Sequence, residues 1–214
     1  MVFNRPAYTA RVFAEIAKAK PPKLLVVADG PRPGRPEEAE RCAMARNVVE
    51  HVDWECQVLR NYADVNLGCG RRFSTGLVWA FEQVERAIIL EDDTLPSPSF
   101  FPFCEELLER YDDDERIMHI SGNNYQPERR PAPYSYYFSR YCHIWGWATW
   151  RRAFRHYAFE MNLWPGLRDS SWLPDLLDDE VAAQWWRNCL DRAWRGDRSV
   201  YDSWDMQWRR PSPA

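Results

Sequence analysis

The segment AIILEDD, residues 87–93, decides the fold prediction. Its first four residues are apolar and include two β-branched isoleucines, which is typical of a strand buried on both faces of a parallel sheet. Three acids follow at once and therefore lie at the carboxyl end of that strand. Because ligands of open α/β sheets bind outside the carboxyl ends of strands, the segment indicates both an α/β fold and the position of a binding site.

The same pattern extends to both sides of this segment. Short apolar runs alternate with amphipathic stretches of helical periodicity, as in βαβ units. The pattern predicts strands at 2–3, 24–28, 57–59, 87–90 and 117–120, and helices at 6–20, 36–51, 70–84, 98–111, 147–157 and 180–194. We therefore predict an α/β fold with a mostly parallel sheet flanked by helices and an aromatic-rich helical C-terminal portion. Asn4 is the predicted N-cap of the first helix.

The composition limits the class of protein. With 214 residues, 45% of them hydrophobic and 12 of them tryptophan, the chain is long and apolar enough to bury the core of one domain, which excludes a disordered segment. The net charge of −4 argues against a nucleic-acid duplex as a partner, because phosphate binding needs a positive stripe.

The sequence also carries signals of location. The mean hydropathy is −0.62 and no long apolar run is present, which predicts that no segment spans a membrane. No signal peptide is recognisable, so we expect a cytoplasmic protein, with peripheral contact at the inner membrane face left open. The six cysteines lack the spacing of a zinc site and are predicted to be free thiols; disulfides in an oxidising compartment are the alternative.

Three consecutive carboxylates, Glu91, Asp92 and Asp93, repel one another unless a cation neutralises them. Oxygen ligands of this kind suit Mg²⁺ or Mn²⁺. A solvated acidic turn that caps the next helix is the alternative. At the same predicted sheet edge, Asp29 could accept a hydrogen bond from a base or ribose and Arg5 could face a pyrophosphate, although each is also an ordinary loop residue.

Seven ordered landmarks carry a family resemblance. They are FNRP at 3–6, ADG at 28–30, LGCG at 67–70, LEDD at 90–93, PSFF at 98–101, WGWATW at 145–150 and SWD at 203–205. In this order they resemble nucleotide-sugar glycosyltransferases of the Rossmann-like GT-A fold, and most of all bacterial relatives of the N-acetylglucosaminyltransferase I group. The resemblance covers nearly the whole chain.

The resemblance implies roles in binding the donor. Asp93 would ligate Mn²⁺ or Mg²⁺ directly, Glu91 would reach the metal through water, and Asp92 would contact the donor ribose. Asp29 would read the base, expected to be uracil, and Arg5 would approach the diphosphate.

Further roles concern the sugar and the reaction. Arg71 or Arg72 would assist at the diphosphate, and the tryptophan segment, with Gly146 and Trp147, would line the donor site, since indole faces stack on sugar rings. Asp205 would be the catalytic base that deprotonates the acceptor hydroxyl. Weaker candidates for the base are Asp179, Glu180 and Asp202.

The predicted function follows from these roles. A sugar moves from a nucleotide-diphosphate donor, expected to be UDP-linked, to an acceptor hydroxyl on a glycan or glycolipid, with inversion. Residues 1–124 would bind the nucleotide sugar and 125–214 would carry the acceptor and catalytic half of one continuous domain. The alternatives are a sugar-phosphate nucleotidyltransferase and a non-catalytic relative that binds nucleotide or carbohydrate.

Two features of the chain as a whole complete the prediction. Relatives extend further at both ends, so we expect a chain shortened at the front and more at the back, with impaired activity. Ten of the 12 tryptophans follow residue 144, which leaves a homodimer through this aromatic-rich half open.

Overall fold

The computed structural model describes residues 1–125, 134–197 and 204–208. Within them the chain forms five strands: β1 (Lys23–Ala28), β2 (Gln57–Tyr62), β3 (Arg86–Ile89), β4 (Ile120–Ser121) and β5 (Trp147–Trp150). Strands β1 and β2 pair in parallel, and β5 lies between β3 and β4 and is antiparallel to both.

Residues 1–3 join the two groups of strands. Val2 forms a parallel bridge to Ala28, and its amide donates to the Val27 carbonyl at 2.8 Å. On the other side, the Met1 amino group donates to the carbonyl of Leu90 at 2.8 Å. The first residues of the chain therefore lie between β1 and the end of β3, and they bring the carboxyl ends of these strands together.

Nine helices are described. They are α1 (Pro6–Ala19), α2 (Pro36–Val48), α3 (Cys69–Gln83), α4 (Phe100–Arg110), α5 (Arg151–Phe154), α6 (Trp164–Leu167), α7 (Trp172–Leu177), α8 (Glu180–Trp194) and α9 (Asp205–Trp208). Helices α1 and α2 each have a proline in the first turn, where its missing N–H costs no hydrogen bond. Helix α8 is capped by Asp179, which accepts from the amides of Val181 and Ala182.

The pleat of β3 and β5 separates two layers of the core. Ile89 and Trp147 point to the face covered by α3, whereas Ile88, Ala148 and Trp150 point to the face covered by α4. All four residues of β5 are buried, because helices cover the strand on both faces. A separate cluster around α6, α7 and α8 includes Met206 of α9.

The mixed α/β class is confirmed, but four expectations about the elements were wrong. The strand predicted at 117–120 is reduced to β4 at Ile120–Ser121. The sheet is not mostly parallel, since β5 runs against both of its neighbours. The segment predicted as a helix at 147–157 begins as strand β5 and becomes helical only from Arg151 to Phe154. Arg5 and not Asn4 occupies the N-cap position of α1, and Asn4 instead donates to Glu38 at 3.0 Å.

The six cysteines are all free, and Cys42 and Cys104 are buried. In the described part of the chain, no helix combines the length and the apolar character that a bilayer crossing requires.

Candidate functional site

The site lies at the carboxyl end of β3, where the chain turns at Glu91, Asp92 and Asp93. The amide of Thr94 donates to the Glu91 carbonyl at 3.1 Å and closes this turn. We call these three acids together with Asp205 the acidic edge, because the Asp205 carboxylate acts electrostatically on Glu91. Glu91 and Asp205 are 114 positions apart in the sequence, and the fold brings them within electrostatic range of each other.

Arg5 holds two of these acids. Its guanidinium forms an ion pair with Asp92 and a second one with Asp93 at 2.8 Å. Burial disfavours the charged form of Arg5, but the hydrogen bond to Asp92 and the two carboxylate charges outweigh burial and raise the pKa of Arg5. Asp92 is itself buried and also accepts from the amide of Phe3 at 3.2 Å.

Glu91 is in a different position from its neighbours. Its Oε1 is buried and has no hydrogen-bond partner in the described part of the chain. Burial raises the pKa of Glu91 to about 7; the Met1 amino group opposes this shift, and the carboxylates of Asp93, Asp92 and Asp205 increase it. A buried acceptor without a donor among like charges is the environment in which a cation is bound most favourably.

Stacked aromatic rings position Asp205. The preceding residue, Trp204, stacks on Phe73 of α3 with a centroid distance of 3.8 Å and on Trp147 of β5 at 5.4 Å. The hydroxyl of Tyr157 donates to the Trp204 carbonyl at 3.3 Å. These contacts fix the start of α9 against the sheet, so the backbone that carries Asp205 is held by the core.

His119 completes this aromatic cluster. Its ring stacks on Trp147 at 5.0 Å, and its Nδ1 accepts from the indole N–H of Trp208 at 3.0 Å. Since Nδ1 accepts, the proton is on Nε2, which donates to the His143 carbonyl at 2.9 Å. His119 is therefore a neutral link between α9 and the segment that leads to β5.

The turn at Trp145 and Gly146 lies beside the acidic edge. Both residues have positive φ, of 72° and 86°, and for a bulky residue such as Trp145 this conformation costs about 1–2 kcal/mol. Asn123 Nδ2 donates to the Trp145 carbonyl at 2.8 Å, and the Gly122 amide donates to the Gly146 carbonyl at 2.8 Å. A Cβ on Gly146 would lie 3.3 Å from Thr94, so the turn packs against the loop of the three acids.

The predicted role of Trp147 as a sugar-contacting residue needs correction. Trp147 is 0% exposed, and aromatic rings cover it on both faces. Trp145 is 56% exposed and presents its indole to solvent. Alternation along a strand would place Trp145 and Trp147 on the same face, so the difference comes from the turn before β5, where the positive φ of Trp145 turns its side chain away from the core.

Asp29 lies at the end of β1, as predicted, but its oxygens already bind protein donors. The amides of Gly30 and Leu67 and the side chain of Asn66 each donate to it at 2.9 Å. Burial raises the pKa of Asp29, and these amides oppose the shift. The carboxylate thus ties β1 to the loop before α3, and its role in reading a base remains a prediction.

The two adjacent arginines at the start of α3 differ completely. Arg71 is exposed, whereas Arg72 is buried and donates to the carbonyls of Ala28 and Asn61 and to the Asn61 side chain. Burial lowers the pKa of Arg72. Arg72 therefore holds the ends of β1 and β2, and only Arg71 has its guanidinium in solvent.

Of the three weaker candidates for the catalytic base, two lie at the start of α8. Asp179 caps α8 and Glu180 is exposed in its first turn, while Asp202 and Ser203 lie outside the described residues. Sequence reasoning missed His119 and Asn123 as residues that hold the site together. A signal for Asn123 exists, since the polar run SGNN at 121–124 directly follows a strand.

The residues described do not form a ready metal centre, since no three His, Cys, Asp or Glu side chains among them converge as ligands. Carboxylate oxygens and the unpartnered Glu91 Oε1 nevertheless fit a hard divalent cation, provided that Arg5 gives up Asp93. Comparison of the chain with protein-family models, with curated proteins and with solved structures finds no match.

Proposed function

We propose that the protein is a metal-dependent glycosyltransferase that moves a sugar from a UDP-linked donor to an acceptor hydroxyl with inversion. The observation that carries this proposal is the acidic edge: three carboxylates at a strand end, with a buried and unpartnered Glu91 oxygen and with Asp205 beside it. An arginine that contacts two of these acids stands at the same edge.

Asp93 and Glu91 are the residues that would hold Mn²⁺ or Mg²⁺. Asp93 is the accessible acid of the three, with its side chain 43% exposed, and Glu91 offers the free buried oxygen. When bound, the cation would stabilise, as a Lewis acid, the negative charge that develops on the departing diphosphate. Arg5 would turn from Asp93 to the diphosphate, for which its planar set of N–H donors is suited.

Asp205 is the proposed base for the acceptor hydroxyl. A base must lie on the side of the sugar opposite the leaving group, and the core contacts of Trp204 keep the carboxylate at a fixed place near Glu91. Asp92, which is held by the Phe3 amide and by Arg5, would fix the geometry of the turn and contact the ribose. A sugar-phosphate nucleotidyltransferase usually carries a Gly-rich N-terminal loop and a lysine that hold a triphosphate. This sequence has NRP at 4–6 in that place, which argues against this alternative.

Isothermal titration with UDP, with and without Mn²⁺, tests the proposal. We expect binding that depends on Mn²⁺, followed by hydrolysis or transfer from a UDP-sugar donor. Asp93→Asn should weaken Mn²⁺-dependent UDP binding by roughly 100-fold, because loss even of an outer-shell partner typically costs 10–100-fold in metal affinity.

Asp113→Asn is the matched control, since Asp113 is an exposed aspartate in the turn after α4. This variant should bind UDP as the unaltered protein does. If UDP does not bind in the presence of Mn²⁺, or if Asp93→Asn binds it with unchanged affinity, the proposal is wrong. Binding without hydrolysis or transfer would identify the non-catalytic relative.

A further inference from the structure

A large cavity lies next to the acidic edge and takes no part in the roles assigned above. Its volume is about 1050 Å³, and it lies between α4, the residues 116–124 and the segment 134–143. We call it the aromatic groove, because five aromatic side chains of one segment line it: Tyr134, Tyr136, Tyr137, Phe138 and Tyr141. Drug-sized ligands occupy pockets of about 300–1,000 Å³, so the groove has room for a chain of several sugar rings.

The groove shares residues with the surroundings of the candidate site. Ser97, Ser99, Gly122 and Asn123 are among the residues that line it. Gly122 and Asn123 are also the residues whose hydrogen bonds hold the turn at Trp145 and Gly146. Because this turn packs against Thr94, part of the groove wall is linked to the loop that carries the three acids.

The aromatic side chains are held in place and are accessible. Tyr136 is anchored by hydrogen bonds to Arg110 at 3.0 Å and to Tyr111 at 2.7 Å. Phe138 packs edge-on against Tyr111 and Tyr136 and is still 65% exposed. Rings that present one face to solvent and a hydroxyl at the rim suit sugars, which combine apolar ring faces with hydroxyl groups.

The charge of the lining is opposite to that of the chain. The described residues of the groove include four arginines and one glutamate, with no aspartate, on a chain of net charge −4. Arg116 pairs with Asp114 at 2.7 Å and Arg155 with Glu115 at 3.8 Å.

Arg140 and Arg152 are bound by carbonyl oxygens and not by acids. Arg140 donates to the Leu176 carbonyl at 2.7 Å, and Arg152 donates to the carbonyls of Tyr111 and Asp112 at 2.7 Å. Within the part of the chain that the structure describes, neither arginine forms a salt bridge. Among the described residues, no carboxylate therefore forms a salt bridge with either guanidinium, although the charge of Arg152 acts on Asp114 from a distance. An anionic ligand in the groove would gain charge-assisted hydrogen bonds from these two arginines.

We propose that the groove binds an acidic oligosaccharide, a sugar chain with carboxylate groups, as the acceptor. The role of the oligosaccharide as acceptor rests on the proposed function, but its binding to the groove can be tested alone. The aromatic rings stack on the sugar faces, and Arg140 and Arg152 bind the carboxylates. The hydroxyl that receives the sugar lies near Ser97 and Asn123, at the part of the groove wall that is linked to the loop of the three acids.

The experiment compares matched acidic and neutral tetrasaccharides by isothermal titration. The acidic probes are tetramers of hyaluronan, oligogalacturonate and alginate, and the neutral probe is chitotetraose. We expect at least one acidic tetramer to bind about tenfold more tightly than chitotetraose at low salt, and 0.3 M NaCl to reduce this preference. Inorganic phosphate, added as a competitor, distinguishes recognition of any anion from recognition of the sugar chain.

Two variants assign the effect to the groove. Arg140→Gln should remove most of the preference for the acidic tetramer, and Phe138→Ala should weaken both kinds of tetramer by about tenfold. Arg11→Gln and Trp185→Ala are the controls, because Arg11 is an exposed arginine of α1 and Trp185 is a 58% exposed aromatic of α8, and neither lines the groove. Neither control should change binding.

The outcomes separate this proposal from the proposed function. If no acidic tetramer binds more tightly than chitotetraose, if phosphate alone accounts for the binding, or if Arg140→Gln keeps the preference, the groove proposal is overturned, whatever UDP does. If the acidic tetramer binds as expected while UDP with Mn²⁺ does not, the groove is confirmed as a carbohydrate site and the transferase proposal fails.

Discussion

Buried charged side chains have different surroundings at the ends of β1 and β2 and at the end of β3. At the ends of β1 and β2, which we call the partnered edge, Glu38 accepts from Arg32 and Asn4, and Arg72 donates to backbone carbonyls. At the acidic edge, Glu91 has a buried oxygen for which the described residues provide no hydrogen-bond donor. The Arg32 guanidinium holds the pKa of Glu38 at about 2, whereas burial raises the pKa of Glu91 to about 7.

The difference separates a charged group that is fully bound by protein donors from one that would gain from binding a cation. A buried acid with all its hydrogen bonds made stabilises the loop that it holds, as Glu38 does for the residues before α2. A buried acid among like charges costs stability, and a fold keeps such a group where binding compensates for it. The two edges should therefore respond to substitution with opposite signs.

The largest effect is expected at the partnered edge, for Arg72→Met. Without the guanidinium, the carbonyls of Ala28 and Asn61 lose their buried donors, and the free energy of unfolding should fall by about 3 kcal/mol. Urea denaturation followed by circular dichroism measures this loss. The adjacent Arg71→Met is the control, and its exposed side chain predicts a change within about 0.5 kcal/mol. Equal losses for the two variants would contradict the distinction between them.

The next effect has the opposite sign and depends on pH. The pKa of Glu91 is about 7 in the folded protein and near 4.5 when exposed, so its favourable contribution is complete below pH 4.5 and is lost as the pH rises through 7. Glu91→Gln buries no charge at any pH. The quantity to compare is the difference in free energy of unfolding between this variant and the unaltered protein, measured in EDTA. Between pH 4.5 and pH 8 this difference should shift in favour of the variant by roughly 1–3 kcal/mol.

Urea denaturation at both pH values in EDTA tests this prediction. Asp113→Asn, at an exposed position, should show no such change of its stability difference with pH. If the stability difference does not shift in favour of Glu91→Gln between pH 4.5 and pH 8, Glu91 is a folding residue like Glu38, and the contrast between the two edges would be lost.

Local periodicity was sufficient to predict the bounds of four of the longer helices. Helix α8 has the predicted bounds of 180–194, and α1, α2 and α4 end within about three residues of the prediction, since their apolar residues recur on one face. Strand β5 was missed because helices cover both of its faces, which leaves four buried residues and no alternation. Its antiparallel direction depends on the path of the chain between β4 and β5, which no local pattern encodes.

The sequence was sufficient to predict the site residues that directly follow a strand. It was not sufficient where contacts between distant parts of the chain determine the pairing or the exposure of a side chain. The acids at 91–93 are visible in the sequence, and the apolar strand pattern before them places them at a strand end. The pairing of Glu38 with Arg32 could not be predicted from the sequence, because it depends on how the loop before α2 folds back onto that helix. The burial of Trp147 and exposure of Trp145 likewise depend on a positive φ, which hydrogen bonds from Gly122 and Asn123 maintain.

The smallest effect on stability is expected for Arg5→Gln, and it sharpens the contrast most directly. The side chain of Arg5 is 44% exposed, and its ion pair with the half-exposed Asp93 contributes about 0–1 kcal/mol. The buried Asp92 loses one donor in this variant but keeps the hydrogen bond from the Phe3 amide. Unfolding should therefore change little, in contrast to Arg72→Met.

Ligand binding by Arg5→Gln should change in two directions. Because Arg5 competes with a cation for Asp93, the affinity for Mn²⁺ alone, measured by electron paramagnetic resonance of free Mn²⁺, should rise several-fold. The affinity for UDP in saturating Mn²⁺ should fall, since the diphosphate loses a guanidinium. If Mn²⁺ binding is unchanged while stability drops as far as in Arg72→Met, Arg5 belongs with the partnered edge, and the acids after β3 are held for the fold and not for a metal.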